Sequence, residues 1–519
     1  METSILSLIP IILTIGLAIK TRNVLVSLFA GVFSGVLILS AGHPITAVKS
    51  MIGDYVMAQL LDSYNAGIIV LLVFIGGFVA LIEKSGGAEA FARCVAHFVN
   101  TRCKTQIAAW IAGIAVFFSE LGTPLIVGPI FTPIFEKMRI SKEKLAWIID
   151  TTASPVCVLI PFIGWGVYSM GLIKTELEAL HITDITDWTA FIHAIPFQIY
   201  PILCLIMVPM VAFSRKEFGA MAKAELNAQK GIFSTIGNAE ELEKKSMVLD
   251  NHTPLVVVLA PLLVLFVTLF GILAPQHFPI KQVPGGDFRI ALITGYLFAA
   301  ITMIVPMAFY KVKPLKEGIS IYIKGLGKLF ECILMLVLAW GLSSVGKALG
   351  TSEYIVQMAE GNIPAWSIPA IIFIIGALMS FSTGTSWGTF AIVMPIAIPM
   401  AVALGAPLYV TIAAVLSGGL FGDHCSPVSD TTILAATGSS CGLMEHMWTQ
   451  LPYAMICASV SIVGFIAAGI TDSVIVTVVC AVLLVIVYNL AGKLKGVSVK
   501  NLNIKDIEKL EAEEASQSV

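Results

Sequence analysis

The stretch Gly418-Gly-Leu-Phe-Gly-Asp-His-Cys-Ser-Pro-Val-Ser-Asp-Thr-Thr432 places two carboxylates, an imidazole and several hydroxyls inside an apolar run. Apolar residues 410–416 precede it and 433–436 follow it. A charged group at membrane depth costs roughly 3 kcal/mol or more, so such residues usually line an ion path or a cavity. The glycines before Asp423 and Pro427 after it predict a helix that unwinds here, exposing backbone carbonyls that can hold a cation.

The composition of the whole chain is that of a membrane protein. Of its 519 residues, 57% are hydrophobic and only 12% are charged, and the mean hydropathy is +0.92. A soluble domain carries about 25% charged residues. The net charge of -2 gives no indication of nucleic-acid binding. Residues 4–19 are apolar but lack the basic segment and cleavage site of a signal peptide, so they predict a first membrane helix.

Apolar runs predict an all-α polytopic protein with about 13 transmembrane segments and two re-entrant half-helices. The spans are expected near 4–19, 24–41, 66–82, 105–118, 145–173, 191–213, 254–273, 289–310, 329–349, 367–381, 409–436, 450–470 and 473–491. Two further segments, 121–135 and 387–404, contain prolines and begin with Gly and Thr. Those two are expected to be the re-entrant half-helices.

Charge predicts the orientation and the division into domains. Lys and Arg cluster after the first and third spans, in 137–144, in 311–328 and in the tail, whereas loop 174–190 is acidic. The positive-inside rule then places the basic loops and the C-terminus in the cytoplasm. The expected parts are a membrane half 1–214, a polar linker 215–252, a second membrane half 253–492 and a disordered tail 493–519.

The two halves resemble each other in sequence. Leu121–Ile130 and Trp387–Ile396 match at six of ten positions with a constant offset of 266 residues. Ala153-Ser-Pro-Val156 then corresponds to Cys425-Ser-Pro-Val428 at an offset of 272. Each half is thus predicted to contain a polar tip, a half-helix and a helix broken at Ser-Pro. The charges place the two copies in opposite orientations, and inverted repeats with broken helices are typical of secondary transporters.

The repeat predicts two polar crossings that bind and couple ions. Their candidate residues are Ser119, Glu120, Thr123, Asp150, Thr151, Thr152 and Ser154 in the first, and Thr383, Thr385, Ser386, Asp423, His424, Ser426, Asp430 and Thr431 in the second. Carboxylate, hydroxyl and carbonyl oxygens are hard ligands that suit an alkali cation. We expect Na⁺ at Asp423, Ser426, Thr385 and Asp150. A carboxylate that takes either Na⁺ or H⁺ gives exchange by competition.

These residues also have structural alternatives. Ser and Thr hydroxyls in membrane helices often bond only to the preceding turn. Asp150 lies six residues after Lys144 and is equally able to cap a helix end. His424 is open to a structural, hydrogen-bonded role instead of proton transfer.

Three C-terminal motifs, Thr383–Thr389, Phe421–Thr432 and Thr449–Tyr453, resemble the NhaC-type sodium/proton antiporter family. The likeness extends into the first half through Leu125–Gly128 and Met138–Leu145. The family also contains malate–lactate and amino-acid carriers. The resemblance implies an inner-membrane carrier with a moving transport domain and a scaffold domain. Relatives have paired aspartates at the first tip, where this chain has Ser119-Glu120.

The expected function is sodium/proton antiport, with Na⁺ and H⁺ as coupling ions, membrane lipid as surroundings and no cofactor. The departure at Ser119-Glu120 keeps an alternative open, a sodium-coupled carrier of a small carboxylate or an amino acid. A channel would need an unbroken polar lining, and a membrane enzyme would need a nucleophile or metal cluster that the sequence does not offer. A homodimer is one expected assembly.

Overall fold

The computed structural model describes residues 4–87, 99–234, 253–278, 283–351 and 363–503, together with a few single residues between and after these ranges. The described chain is almost entirely helical, which confirms the predicted all-α class. Two short strands, Lys216–Glu217 and Val497–Ser498, pair antiparallel with Lys216 opposite Ser498. Residues 235–252 of the predicted linker and 508–519 of the predicted tail lie outside the described residues.

The first half and the linker contain thirteen α-helices within the described residues. They are Ile9–Thr21, Val24–Leu39, Pro44–Ser50, Met57–Leu61, Ser63–Ser85, Arg102–Ala115, Gly122–Lys137, Lys142–Thr152, Ser154–Cys157, Gly164–Ala179, Asp187–Ala194, Ile199–Ser214 and Gly219–Gln229. A π-helical turn, Met51–Val56, joins the third helix to the fourth.

The second half contributes ten α-helices within the described residues. They are Val256–Leu273, Gly285–Phe309, Leu315–Gly325, Phe330–Leu349, Ile368–Thr383, Ser386–Leu404, Leu408–Cys425, Asp430–Gly438, Leu443–Thr471 and Ile475–Lys495. We call Gly122–Lys137 and Ser386–Leu404 the first and second tip helices. Lys142–Thr152 and Leu408–Cys425, which follow them, are the first and second broken helices.

Within the described residues, nine helices are long and apolar enough to cross a membrane, or eleven if each of two bent pairs is one span. The protein is therefore a multi-pass membrane protein with fewer spans than the thirteen expected. The segments 105–118 and 145–173 form helices of 16 residues or fewer. A helix rises 1.5 Å per residue, so these are too short for a hydrocarbon core of about 30 Å.

The re-entrant segments also differ from the prediction. The first tip helix has 16 residues, in keeping with a half-helix, but the second has 19 and is among the nine possible spans. Val24–Leu39 instead turns back by 117° into Pro44–Leu61, a re-entrant candidate that the sequence pattern did not indicate. The second bent pair, Asp187–Phe197 with Ile199–Ser214, bends by 45°.

The helices of the two halves follow the same order along the chain, and helices of one half pack against helices of the other. Each tip helix packs against the broken helix of its own half. The first tip helix also packs against Asp430–Gly438 of the second half, and the second tip helix against Gly164–Ala179 of the first half. At one crossing the chains almost touch, because a Cβ on Gly438 would lie 2.3 Å from the carbonyl oxygen of Pro124. Small residues permit such backbone approach between membrane helices.

The described parts of the linker and the tail, 215–234 and 493–503, pack together, whereas the prediction of disorder for the rest of the tail lies mostly outside the described residues. The linker strand pairs with the tail strand, and the linker helix packs on the first broken helix and on Leu443–Thr471. Buried ion pairs join Lys144 to Glu217 and Arg102 to Glu225. Tyr453 also donates to Glu217 at 2.6 Å. These contacts bury charges that the sequence suggested were solvated loop residues.

Candidate ion-binding site

A cavity of about 390 Å³ lies where the starts of both tip helices meet. The polar lining consists of Ser119 and Glu120 from the first tip, Thr383, Thr385 and Ser386 from the second, and Arg22, Asn23, Lys328, Glu331, Asp423, Asp430 and Thr431. The structure therefore brings the Glu120 and Thr385 tips together in one cavity. Their depth in the bilayer stays a prediction.

Asp423 is the carboxylate most enclosed by polar groups at this cavity. It is 5% exposed, and its Oδ2 accepts hydrogen bonds from Ser386 at 3.0 Å and from Ser154 at 3.4 Å. Its Oδ1 accepts from Ser429 at 2.6 Å. Since Ser154 belongs to the first half, the two halves meet at this one carboxylate.

Asp423 is held in place by an intact helix rather than by the unwound one that we expected. The second broken helix continues through Cys425, and the break falls at 426–429. The glycines before Asp423 allow close packing on Ile368–Thr383. A Cβ on Gly418 would lie 2.5 Å from the carbonyl oxygen of Phe373. A Cβ on Gly422 would lie only 2.1 Å from the amide nitrogen of Phe381. The Ser-Pro break was predicted correctly.

Asp150 lies in the last turn of the first broken helix and is fully buried. Its Oδ2 lies 2.9 Å from Gln450 Nε2, 3.2 Å from His446 Nε2 and 3.3 Å from Thr432 Oγ1. Ser141, not Asp150, caps the start of this helix, so the capping role is excluded. The Thr432 hydroxyl also lies 3.4 Å from the carbonyl oxygen of Asp423 and so links the two acidic positions.

The four expected Na⁺ ligands are only partly brought together. Asp423 and Thr385 line the cavity, whereas Asp150 and Ser426 do not. The hydroxyl of Ser426 accepts from the amide of Val428 at 3.3 Å and so closes the turn after the break. The cation site that this geometry offers is therefore centred on Asp423 with the hydroxyls around it.

Several of the other candidate residues have structural partners. Thr123, Thr152 and Thr383 each donate to a backbone carbonyl four residues earlier, which is the structural alternative for membrane hydroxyls. His424 has Thr151 at 3.2 Å from Nε2 and the Tyr200 hydroxyl at 2.9 Å from Nδ1. Because both ring nitrogens are engaged, the geometry favours a structural role for His424.

Sequence reasoning missed four polar residues around the site. Ser119 donates to Glu83 at 2.8 Å, and Glu83 in turn pairs with Lys328. Glu83 stands at the end of an apolar run beside Lys84 and looked like an ordinary membrane-interface residue. Tyr200, His446 and Gln450 were also overlooked, although Gln450 lies within the Thr449–Tyr453 motif.

Residues 156–470 match the model of the Na⁺/H⁺ antiporter family. This chain belongs to that family. The resemblance inferred from the motifs is thus confirmed, and the protein is a secondary transporter, not an enzyme. Within the described residues no group of three or more His, Cys, Asp or Glu side chains could hold a metal ion.

Individual relatives of this antiporter-family protein extend the comparison. It is 34% identical to an uncharacterized protein of Haemophilus influenzae over 91% of this chain and 92% of that protein. It is 32% identical to the malate-2H⁺/Na⁺-lactate antiporter of Bacillus subtilis, over 35% of this chain and 39% of that one. The YdaH transporter of Alcanivorax borkumensis shares the fold with a TM-score of 0.54 and 13% identity, covering 82% of this chain and 88% of that one.

Proposed function

We propose that the protein is a sodium/proton antiporter of a bacterial cytoplasmic membrane, in which Na⁺ and H⁺ compete for Asp423. The observation that carries the proposal is the environment of this carboxylate. It is buried, it lines a cavity and it accepts hydrogen bonds from hydroxyls of both halves. The ion pairs found among the described residues do not include it.

A buried carboxylate without a cationic partner is costly, so it must bind a cation or be protonated. The Asp423 carboxylate and the surrounding hydroxyls offer the hard oxygen ligands that an alkali cation prefers. Asp423 also lies in the last turn of its helix, where the partial negative charge of the helix end favours a cation. When Na⁺ dissociates, a proton can bind the Asp423 carboxylate instead. This competition couples the Na⁺ flux to the H⁺ flux.

Glu120 and Asp150 are the other candidates for coupling. Both lie close enough to Asp423 for their charges to interact with it. Glu120 lines the cavity directly, whereas Asp150 is enclosed by His446 and Gln450. We therefore propose that Glu120 shares proton coupling with Asp423 and that Asp150 has a positioning role.

The repeat supports alternating access to this site. The matching order of helices, the crossed packing between halves and the meeting of both tips are the arrangement expected of an inverted repeat. In this proposal the basic loops and the C-terminus face the cytoplasm, and the two tips enter from opposite faces.

The decisive experiment uses purified protein in proteoliposomes that contain a pH-sensitive dye and no organic solute. An imposed Na⁺ gradient should drive protons in the opposite direction, and liposomes without protein should show no such flux. If the folded protein moves no protons under a Na⁺ gradient at any pH between about 6 and 9, antiport is the wrong assignment.

A second candidate function follows from the size and charge of the same cavity. At about 390 Å³ it is within the range of small-molecule sites and far larger than one Na⁺ requires. Arg22 and Lys328 line it, and both tip helices begin there, so positive charge is available for a carboxylate. The malate–lactate relative makes a sodium-coupled carrier of a small carboxylate or amino acid the alternative. Uptake of labelled malate, lactate or an amino acid that requires Na⁺, without Na⁺-driven proton flux, would favour it.

A further inference from the structure

A second cavity, of about 310 Å³, lies away from the ion site. Its polar lining includes Glu176, His181, Ser343 and Lys347, and Pro395 and Pro399 close one side. Sequence reasoning assigned Glu176 to an acidic external loop. The structure instead places it inside Gly164–Ala179, where it is 3% exposed.

The two cavities lie at opposite ends of the same helices. On Gly164–Ala179, Trp165 lines the first cavity and Glu176 the second. The two positions are eleven residues apart, which is about 16 Å at 1.5 Å per residue.

Two other helices show the same division. On Phe330–Leu349, Cys332 lines the first cavity and Ser343 the second. On the second tip helix, Ser386 lines the first cavity and Pro395 the second. The second cavity therefore approaches the face of the membrane opposite to the one nearest the first cavity.

A packed layer separates the cavities. Tyr168, Trp340 and Phe390 are all buried between them. The Tyr168 hydroxyl donates to the carbonyl of Trp387 at 3.0 Å, and Trp340 Nε1 donates to the carbonyl of Gly171 at 3.1 Å. Tyr168 and Trp340 thus satisfy their polar atoms locally and form a packed aromatic layer together with Phe390.

Glu176 has a setting like that of Asp423. Its carboxylate shares the lining of the second cavity with Ser343, and it takes part in none of the ion pairs found among the described residues. Lys347 and His181, which line the same cavity, are both exposed. Asp187, on the next helix, is bound by Tyr64. A buried carboxylate without a counter-charge, facing a cavity, needs a proton or a cation.

We propose that the second cavity is a cation-binding vestibule on the membrane face opposite the first cavity, with Glu176 and Ser343 as its H⁺- and Na⁺-binding groups. The inference rests on the proposed coupled cation transport. In it, ions pass between Glu176 and Asp423 only when the aromatic layer between the cavities rearranges. The protein would then have one ion-binding carboxylate on each side of the aromatic layer, Glu176 on one side and Asp423 on the other.

The first test is Glu176→Gln, with Glu178→Gln as the matched control. Glu178 lies two residues away on the same helix, is 54% exposed and pairs with Lys174 at 2.7 Å. In oriented proteoliposomes, acidifying the Glu176 side should weaken the apparent Na⁺ affinity of the wild type and of the control by up to about tenfold per pH unit.

The Glu176→Gln variant should lose that response, to less than about twofold per pH unit, while keeping the response to pH on the other side. An unchanged response on the Glu176 side would overturn the proposal. Absence of any Na⁺-driven proton flux in the wild type would instead count against antiport itself, so the two failures are distinguishable.

The second test does not depend on transport. Ser343→Cys, in a protein lacking the accessible Cys94, Cys103 and Cys332, should react with a membrane-impermeant thiol reagent from the face of loop 180–186 only. Ala339→Cys, about one turn deeper and fully buried, is the control and should not react. Failure of Ser343→Cys to react, or reaction from the opposite face, would refute the vestibule even if Glu176→Gln did not fold.

Discussion

Replacing Asp423 by Asn tests the central assignment because it removes a charge and keeps the shape of the side chain. The carboxylate accepts from Ser386 at 3.0 Å and from Ser429 at 2.6 Å. An amide retains one oxygen acceptor but presents an NH₂ group on the other side. A hydrogen bond to a charged group contributes about 1.5–3 kcal/mol, and we take the upper value for the lost cation contact. About 3 kcal/mol corresponds to a Na⁺ affinity lowered roughly 100-fold or more.

The assay is Na⁺-dependent proton flux in proteoliposomes as a function of Na⁺ concentration, with thermal stability in detergent measured in parallel. Asp472→Asn is the matched control, because Asp472 is an exposed turn residue with φ 47°, a conformation that Asn also tolerates. We expect the control to behave as the wild type and Asp423→Asn to fold but to lose Na⁺ response. An active Asp423→Asn variant with unchanged Na⁺ affinity would refute the reasoning.

Three further predictions address coupling, topology and packing. Glu120→Gln should weaken the pH dependence of apparent Na⁺ affinity on the side of the first cavity while leaving some Na⁺ binding; an unchanged pH dependence in the same flux assay would exclude Glu120 as a coupling group. Cysteines at the exposed positions Lys137 and Ala403 should be labelled from the cytoplasm and from the outside respectively, and labelling of both from one face would contradict the inverted repeat. Gly438→Ala should lower thermal stability by roughly 1–3 kcal/mol through overpacking, whereas Gly16→Ala, with no atom within 4 Å of its Cβ, should be neutral in the same melting experiment.

The sequence predicted the parts of the site that depend on local chemistry. Acids within apolar runs singled out Asp423 and Asp150, and the repeated motif predicted that the Glu120 and Thr385 tips would meet. The Ser-Pro pairs located both breaks. The meeting of the tips and the two breaks agree with the structure, because the cost of burying polar groups in an apolar segment can be read from the chain itself. The ion-binding roles of Asp423 and Asp150 stay predictions.

The predictions that were wrong concern distances between segments far apart in the chain. The glycines before Asp423 looked like helix breakers, yet Gly418 and Gly422 lie in an intact helix packed closely on its neighbour. Glu176 was expected in a loop, but it is buried in the protein and lines the second cavity. The sequence does not distinguish a glycine that breaks a helix from one that permits close packing, or an exposed glutamate from a buried one. The packing of the neighbouring helix decides between these alternatives.

The sequence by itself determined that this chain is a helical membrane protein with acids where no lipid-facing helix would keep them. Hydropathy and charge are sums over residues that are adjacent in the chain, so they can be calculated without knowledge of the fold. The tertiary structure decided which acids share a cavity. It set Asp423 among Ser386, Ser429 and Ser154, and it enclosed Asp150 between His446 and Gln450. The hydrogen bond between Gln450 and Asp150 acts over 2.9 Å between residues 300 positions apart, a relation that the pattern along the chain does not encode.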